Sequence, residues 1–147
     1  MITLRSSAVG LPSSLPTVQL LHELADGTSH VDWMIAQDPR GERPLVTFRL
    51  AARVDELAGG GVAAAQRLDD HRPAFLDYEG PVSGNRGKVR RLVRGQVVRW
   101  ERRPEGWRIE VAWDSLSGRP QWLRLQRTGG GETWRVEAEA APPAKLI

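Results

Sequence analysis

His22, His30 and Asp32 are the residues of this chain whose types and spacing could do chemistry. The sequence has three histidines, and two of them fall with an aspartate inside eleven residues. Two neutral imidazoles and a carboxylate form a donor set suited to Mn, Fe, Co or Zn. An ion held by so few protein ligands keeps positions open for water or a phosphate oxygen. The third histidine opens a second polar cluster, His71-Arg72-Pro73. For one ion to be held, the donors must converge. Residues two apart on a strand share a face, so His30 and Asp32 point one way while Val31, Trp33 and Ile35 point the other. Whether His22 joins them depends on the turn. A two-residue turn at Asp26-Gly27 would pair His22 with Val31, on the wrong face. A three-residue loop, Ala25-Asp26-Gly27, puts the glycine in the left-handed position of a type I turn with a G1 bulge. It then sets His22 opposite His30, with Cβ atoms roughly 5 Å apart. A slip of one residue dissolves the group. The plain alternative is a pair of half-buried strand histidines with no ion, since His-x-Asp alone is a weak signal.

The elements that must position these side chains read as short strands: Val18–Leu24, Val31–Ala36, Leu45–Leu50, Lys88–Val93, Gln96–Arg102, Trp107–Trp113, Gln121–Gln126 and Thr133–Ala138. Turn residues separate them, among them Asp26-Gly27, Arg94-Gly95, Pro104-Glu105-Gly106 and Gly129-Gly130-Gly131. A short helix is expected over Val54–Ala58, before Gly59-Gly60-Gly61. Many short strands with close turns indicate a mainly β chain, an antiparallel barrel or sandwich. Residues 1–16, rich in Ser and Pro, read as a flexible arm. Residues 17–139 read as the domain, and 140–147, with Pro142-Pro143, as a flexible tail. The six tryptophans read as core and rim residues rather than a base-stacking platform.

Composition narrows the classes. The 147 residues fit one domain with a full hydrophobic core. Cysteine is absent, which excludes disulfides and thiolate metal sites and fits a cytoplasmic protein. No signal-like segment is apparent, and no run approaches the roughly 18 apolar residues of a membrane span. The net charge of +3 is unevenly placed: from Arg86 to Arg103 eight Lys or Arg face one acid, Glu101. Arg86, Lys88, Arg90, Arg91 and Arg94 are thus candidates for holding a nucleic-acid backbone. A solvated arginine-rich face is the plain alternative.

The stretch Asp69-Asp70-His71-Arg72-Pro73-Ala74-Phe75-Leu76-Asp77-Tyr78-Glu79-Gly80-Pro81-Val82-Ser83-Gly84 resembles the 3′-phosphoesterase domain at the N-terminus of bacterial DNA ligase D, the DNA polymerase–ligase N-terminal domain. That family carries an Asp-His pair, a Glu-Gly eight to nine residues on, then a glycine-rich turn, here Gly84-Asn85-Arg86-Gly87, and a strand. It also carries a histidine followed, after a short gap, by His-x-Asp, as His22 precedes His30-Val31-Asp32 here. Order and rough spacing agree over about residues 18–100, and the closing strands are similar more loosely. The resemblance implies a compact antiparallel β-barrel with one or two short flanking helices. It implies a Mn-dependent activity, with Zn or Co as other candidates, that removes 3′-phosphates and 3′-terminal ribonucleotides in DNA end repair. The implied partners are DNA or RNA–DNA 3′ ends and a ligase or polymerase on a separate chain. His22, His30 and Asp32 match the metal ligands. His71 matches a catalytic histidine facing the phosphate.

Two positions depart from the family. Two residues past Asp32 the family has a phosphate-holding arginine, where this chain has Met34. Four residues past His71 it has a tyrosine, where this chain has Phe75. Phosphoryl transfer relies on charge stabilisation, so a missing cation bears directly on rate. Arg67 and Arg72 are the candidate replacements. Glu79-Gly80 reads as a structural anchor and Tyr78 as packing. Two other readings stay open: a nucleic-acid-end-binding barrel that has lost turnover, and an interaction protein whose histidines meet by coincidence.

Overall fold

Runs of alternating apolar residues, cut by tight turns, become strands wherever one face can be buried. The computed structural model of the protein describes residues 14–140. It contains β1 (Leu15–Glu23), β2 (Ser29–Ile35), β3 (Leu45–Leu50), β4 (Val62–His71), β5 (Gly80–Pro81), β6 (Lys88–Arg103), β7 (Gly106–Trp113), β8 (Pro120–Arg127) and β9 (Thr133–Ala138). They form one antiparallel sheet in the order β1-β2-β3-β4-β9-β8-β7-β6-β5, and a further pairing of β1 with β6 closes it into a ring. The expectation of a mainly β, antiparallel chain holds. β1 starts at Leu15, inside the expected arm; residues 1–13 of that arm and 141–147 of the tail lie outside the described residues.

Other expectations are corrected. Val54–Ala58 is not a helix. Its backbone is claimed by side chains: the Val54 amide donates to Gln19 Oε1 (3.0 Å), and its carbonyl accepts from Gln121 Nε2 (2.8 Å). Among the described residues no helix reaches seven residues. The helical turns are 3-10 turns at Pro73–Leu76 and Asp114–Leu116. No helix there is long and apolar enough to cross a membrane. Arg94-Gly95 is not a turn either. β6 runs through it, still paired with β1 on one side as it takes up β7 on the other. A Cβ at Gly95 would lie 2.8 Å from Trp113 Cε3, so glycine there makes room for the indole. β4 escaped the sequence reading because its Ala63-Ala64-Ala65 run lacks strand-favouring residues. Alanine fits because Ala65 faces Trp134 on β9, whose indole fills the space.

The two faces of the β1–β2 pair bury different clusters. Trp33 and Ile35 face the larger core with Phe48, Ile109, Val111, Trp113, Leu123 and Trp134, drawn from around the ring. Val18, Leu20, Met34 and Ala36 face the other way and pack with Leu45, Leu76 and Val89. The chain between β4 and β6 lies over this second face, contributing Leu76, Phe75 and Val82. The candidate ligands stand on that face.

Candidate metal centre

The β1–β2 loop adopts the three-residue form. Leu24 N–H donates to Thr28 O (2.8 Å), Gly27 N–H donates to Leu24 O (3.0 Å), and Gly27 has φ 90°. His22 therefore pairs directly with His30, and Asp32 with Leu20. The ligand atoms of His22, His30 and Asp32 all lie within 4.8 Å of one another. The imidazole side chains are 16% and 13% exposed and Asp32 only 4%, so the group is sheltered but reachable from solvent.

Hydrogen bonding fixes what these atoms offer. His22 Nε2–H donates to the Arg86 carbonyl at 2.6 Å. Its Nδ1 is left as a lone pair, 3.4 Å from Asp32 Oδ2. Such an outer partner orients a ligating imidazole and sets its tautomer. His30 Nε2 lies 3.3 Å from Asp32 Oδ1, yet neither atom has a hydrogen-bond partner and both are buried. Burial holds the His30 pKa below the ordinary 6.5; Asp32 opposes this, and the charges of Arg49 and His22 add to it. The neutral, ligand-ready imidazole is thereby favoured. At 3.3 Å and outside hydrogen-bond geometry the two atoms gain little from one another, and a cation among the three groups would turn each contact favourable. The donor set of two nitrogens and one carboxylate oxygen fits a divalent transition ion such as Mn, Zn or Co.

The bond from His22 to Arg86 depends on Gly87. Gly87 has φ 82°, and a Cβ there would lie 1.9 Å from Glu23 O. Glycine alone lets the Gly84–Gly87 turn rest on the end of β1 and bring the Arg86 carbonyl to the imidazole.

A β-bulge delivers His71. Thr47 pairs with Leu68, but Leu45 pairs with His71, so β4 carries one extra residue between them. The bulge shifts the alternation and puts His71 on the face of Leu45. His71 Nδ1–H donates to Asp69 O (2.8 Å), leaving Nε2 free. His22, Asp32, Met34, His71, Arg72 and Arg86 all line one cleft of about 370 Å³. The same bulge separates Arg67 from His71. Arg67 pairs with Phe48 and points to the opposite face, lying over the Phe48 and Trp107 rings and pairing with Asp70 at 3.2 Å. Arg67 is thus not brought to the cleft, whereas Arg72 is.

The basic stripe divides between two faces. Arg91, opposite Leu20, and Arg94, opposite Val18, lie on the cleft side, where Arg94 pairs with Asp77 at 2.9 Å. Lys88 and Arg90 face away, opposite Glu23 and Leu21. Glu79 anchors the covering segment by accepting the Arg91 backbone N–H at 2.7 Å. Tyr78 packs edge-on against Phe75, and its hydroxyl donates to Pro81 O.

Sequence reasoning missed Arg49. It pairs directly with Asp32 across β2 and β3 and is exposed on the ligand face. Its strand was legible, but the connection over residues 36–44 is too long to set the register by turn type. No family model matches the sequence, and no curated protein matches it.

Proposed function

We propose that this protein is a metal-dependent phosphoesterase acting on nucleic-acid 3′ ends, on a compact β-barrel formed by the closed sheet. The observation that carries the reading is one cluster: His22, His30 and Asp32, with two buried ligand atoms lacking partners, beside a cleft that also holds His71, Arg72 and Arg86. The resemblance to the ligase D phosphoesterase domain supports it and favours Mn, with DNA or RNA–DNA 3′ ends as substrate. A ligase or polymerase acting in trans would use the repaired end.

When bound, the ion supplies Lewis-acid stabilisation of a phosphoryl oxygen and a source of activated water. The chain's own residues do the rest. His22 is held in its ligating tautomer by Arg86 O. His71 presents Nε2 to the cleft, where it stabilises phosphoryl oxygens or hands a proton to the leaving oxygen. Arg72 and Arg86 place positive charge along the cleft. Arg91 and Arg94 extend that charge along β6, so binding weakens as salt rises.

The test is phosphate release from a 3′-phosphorylated primer–template with Mn²⁺. We expect release by the native protein and a loss of roughly 100-fold or more in His30→Ala, as for removal of a key charge-stabilising contact. Equal release from the two proteins would reject the site. A second reading, an end binder without turnover, draws on Met34, which floors the cleft with an apolar side chain 1% exposed. It predicts salt-sensitive capture of DNA ends with no Mn-dependent product.

A further inference from the structure

We infer that Arg49 is a phosphate-contacting residue that reaches the metal group from the β3 side, opposite His71 and Arg72. This rests on the phosphoesterase reading above and adds a residue to its substrate-binding set.

The placement follows from strand register. Arg49 pairs with Asp32, and Thr47 pairs with Met34. Directly paired residues share a face, so Arg49 projects beside the ligand carboxylate. It stands diagonally across from Met34, close enough for a long side chain to cover that position. Met34 brings no charge there. Arg49 does, and it is exposed where its strand neighbours Phe48 and Leu50 are buried.

Of the other cations near the site, Arg91 on β6 is likewise without an ion pair among the described residues, and the rest are engaged. Arg67 pairs with Asp70, and Arg94 with Asp77. The Arg86 guanidinium donates to Ser83 O and Oγ, and Arg72 lies over the Phe75 ring. Among the described residues Arg49 has no ion pair and no side-chain hydrogen bond. A nearby carboxylate would ordinarily attract it, yet no oxygen of Asp32 lies within ion-pair distance of its guanidinium. The guanidinium therefore keeps its donors available for a ligand.

The surface around it has room for one. Arg49 lines a shallow depression with Ser29, His30, Gln66 and Thr133. His22 and Asp32 line the cleft instead. The ligand group thus forms a ridge between two hollows, with His71, Arg72 and Arg86 on one side and Arg49 on the other. A phosphate resting on that ridge meets cations from both directions. The planar guanidinium can grip two of its oxygens at once, which a lysine cannot. Without the phosphate role, Arg49 would be a solvated strand arginine, and phosphate affinity would be indifferent to it.

The experiment separates metal from phosphate. Mn²⁺ binding is measured by loss of the free-ion EPR signal for the native protein, Arg49→Ala and Arg49→Lys. Binding of inorganic phosphate to each Mn-loaded protein is then followed by paramagnetic broadening of the ³¹P signal. Mn²⁺ affinity should stay the same in Arg49→Lys and hold or rise in Arg49→Ala, since Arg49 is not a ligand and its charge disfavours a further cation beside His30. Phosphate should bind Arg49→Ala about tenfold or more weakly, as expected for a lost charge-assisted bidentate contact, with Arg49→Lys between. Unchanged phosphate affinity in Arg49→Ala overturns the inference and leaves the metal centre standing. Failure of the native protein to bind Mn²⁺ overturns both. Phosphate binding that needs Arg49, without release from a 3′-phosphorylated primer–template, rejects the phosphoesterase reading and upholds the contact.

Discussion

Two clusters of buried polar atoms lie on the β1–β2 pair, one on each face, and they are finished differently. On the ring side, Gln19 and Asp55 meet every demand. Gln19 donates to Asp55 (2.9 Å) and accepts from Val54, while Asp55 also accepts from Arg53 (2.7 Å) and Ser115 (2.7 Å). On the cleft side, His30 Nε2 and Asp32 Oδ1 are buried with no hydrogen-bond partner. The first cluster is a completed network that pins the 51–61 segment to β1 and to the turn after β7. The second would be completed by a cation from outside the chain, as its geometry allows. Buried polar groups are almost always satisfied; besides Arg67 Nε, these two facing atoms are the buried side-chain exceptions among the described residues, which makes their cluster the candidate place for a ligand.

The contrast can be broken at either end. The largest stability effect is expected from Asp55→Ala. It strands Arg53, Gln19 and Ser115 around a hole and should cost about 3 kcal/mol, read by urea unfolding and unaffected by Mn²⁺. Asp32→Asn should behave in the opposite way. It removes a buried charge, so the metal-free protein should unfold within about 1 kcal/mol of the native one. Mn²⁺ should raise the melting temperature of the native protein and not that of Asp32→Asn. A large loss of stability in metal-free Asp32→Asn would mean that the two clusters are alike. Acid separates them more finely. Burial raises the Asp55 pKa, but the hydrogen bonds and charge of Arg53, with Ser115 and Gln19, outweigh it and hold the carboxyl below its ordinary 3.8. The unfolded chain then binds the proton more readily than the folded one. The stabilisation is full above the ordinary value and is lost as pH falls through 3.8 toward the lower folded value. Asp55→Asn should flatten that part of the stability–pH curve; an unchanged slope would show that Asp55 is not held this way.

The hairpin that carries the ligands was legible because its loop specifies its own register: Ala25-Asp26-Gly27 has a glycine where left-handed backbone is needed. Alternation along β2 then assigned every face correctly. The His71 cluster was legible as a motif but not as geometry. Nothing in Leu68-Asp69-Asp70-His71 announces a bulge, and without it Arg67 and His71 would share a face, as residues four apart on a regular strand do. The helix expected at Val54–Ala58 failed for a non-local reason, since Gln19 and Gln121 compete for its backbone across the fold. Gly95 looked like a turn because sequence shows a small residue, not the indole of Trp113 resting on it. Arg49 went unnoticed because its significance comes entirely from the strand beside it.

The bond from His22 to Arg86 has a kinetic consequence. It joins residues 64 positions apart, at the seam where β1 meets β6. Contacts that distant in sequence form slowly, because a long loop must be closed before they repay its entropy. The hairpin alone brings His22, His30 and Asp32 near each other, but the bond that fixes the His22 tautomer forms only once the seam is shut. On the proposed function, tight Mn²⁺ uptake by a refolding sample would therefore time the last stage of assembly, and a nascent chain would stay a poor scavenger of metal until its sheet had joined end to end.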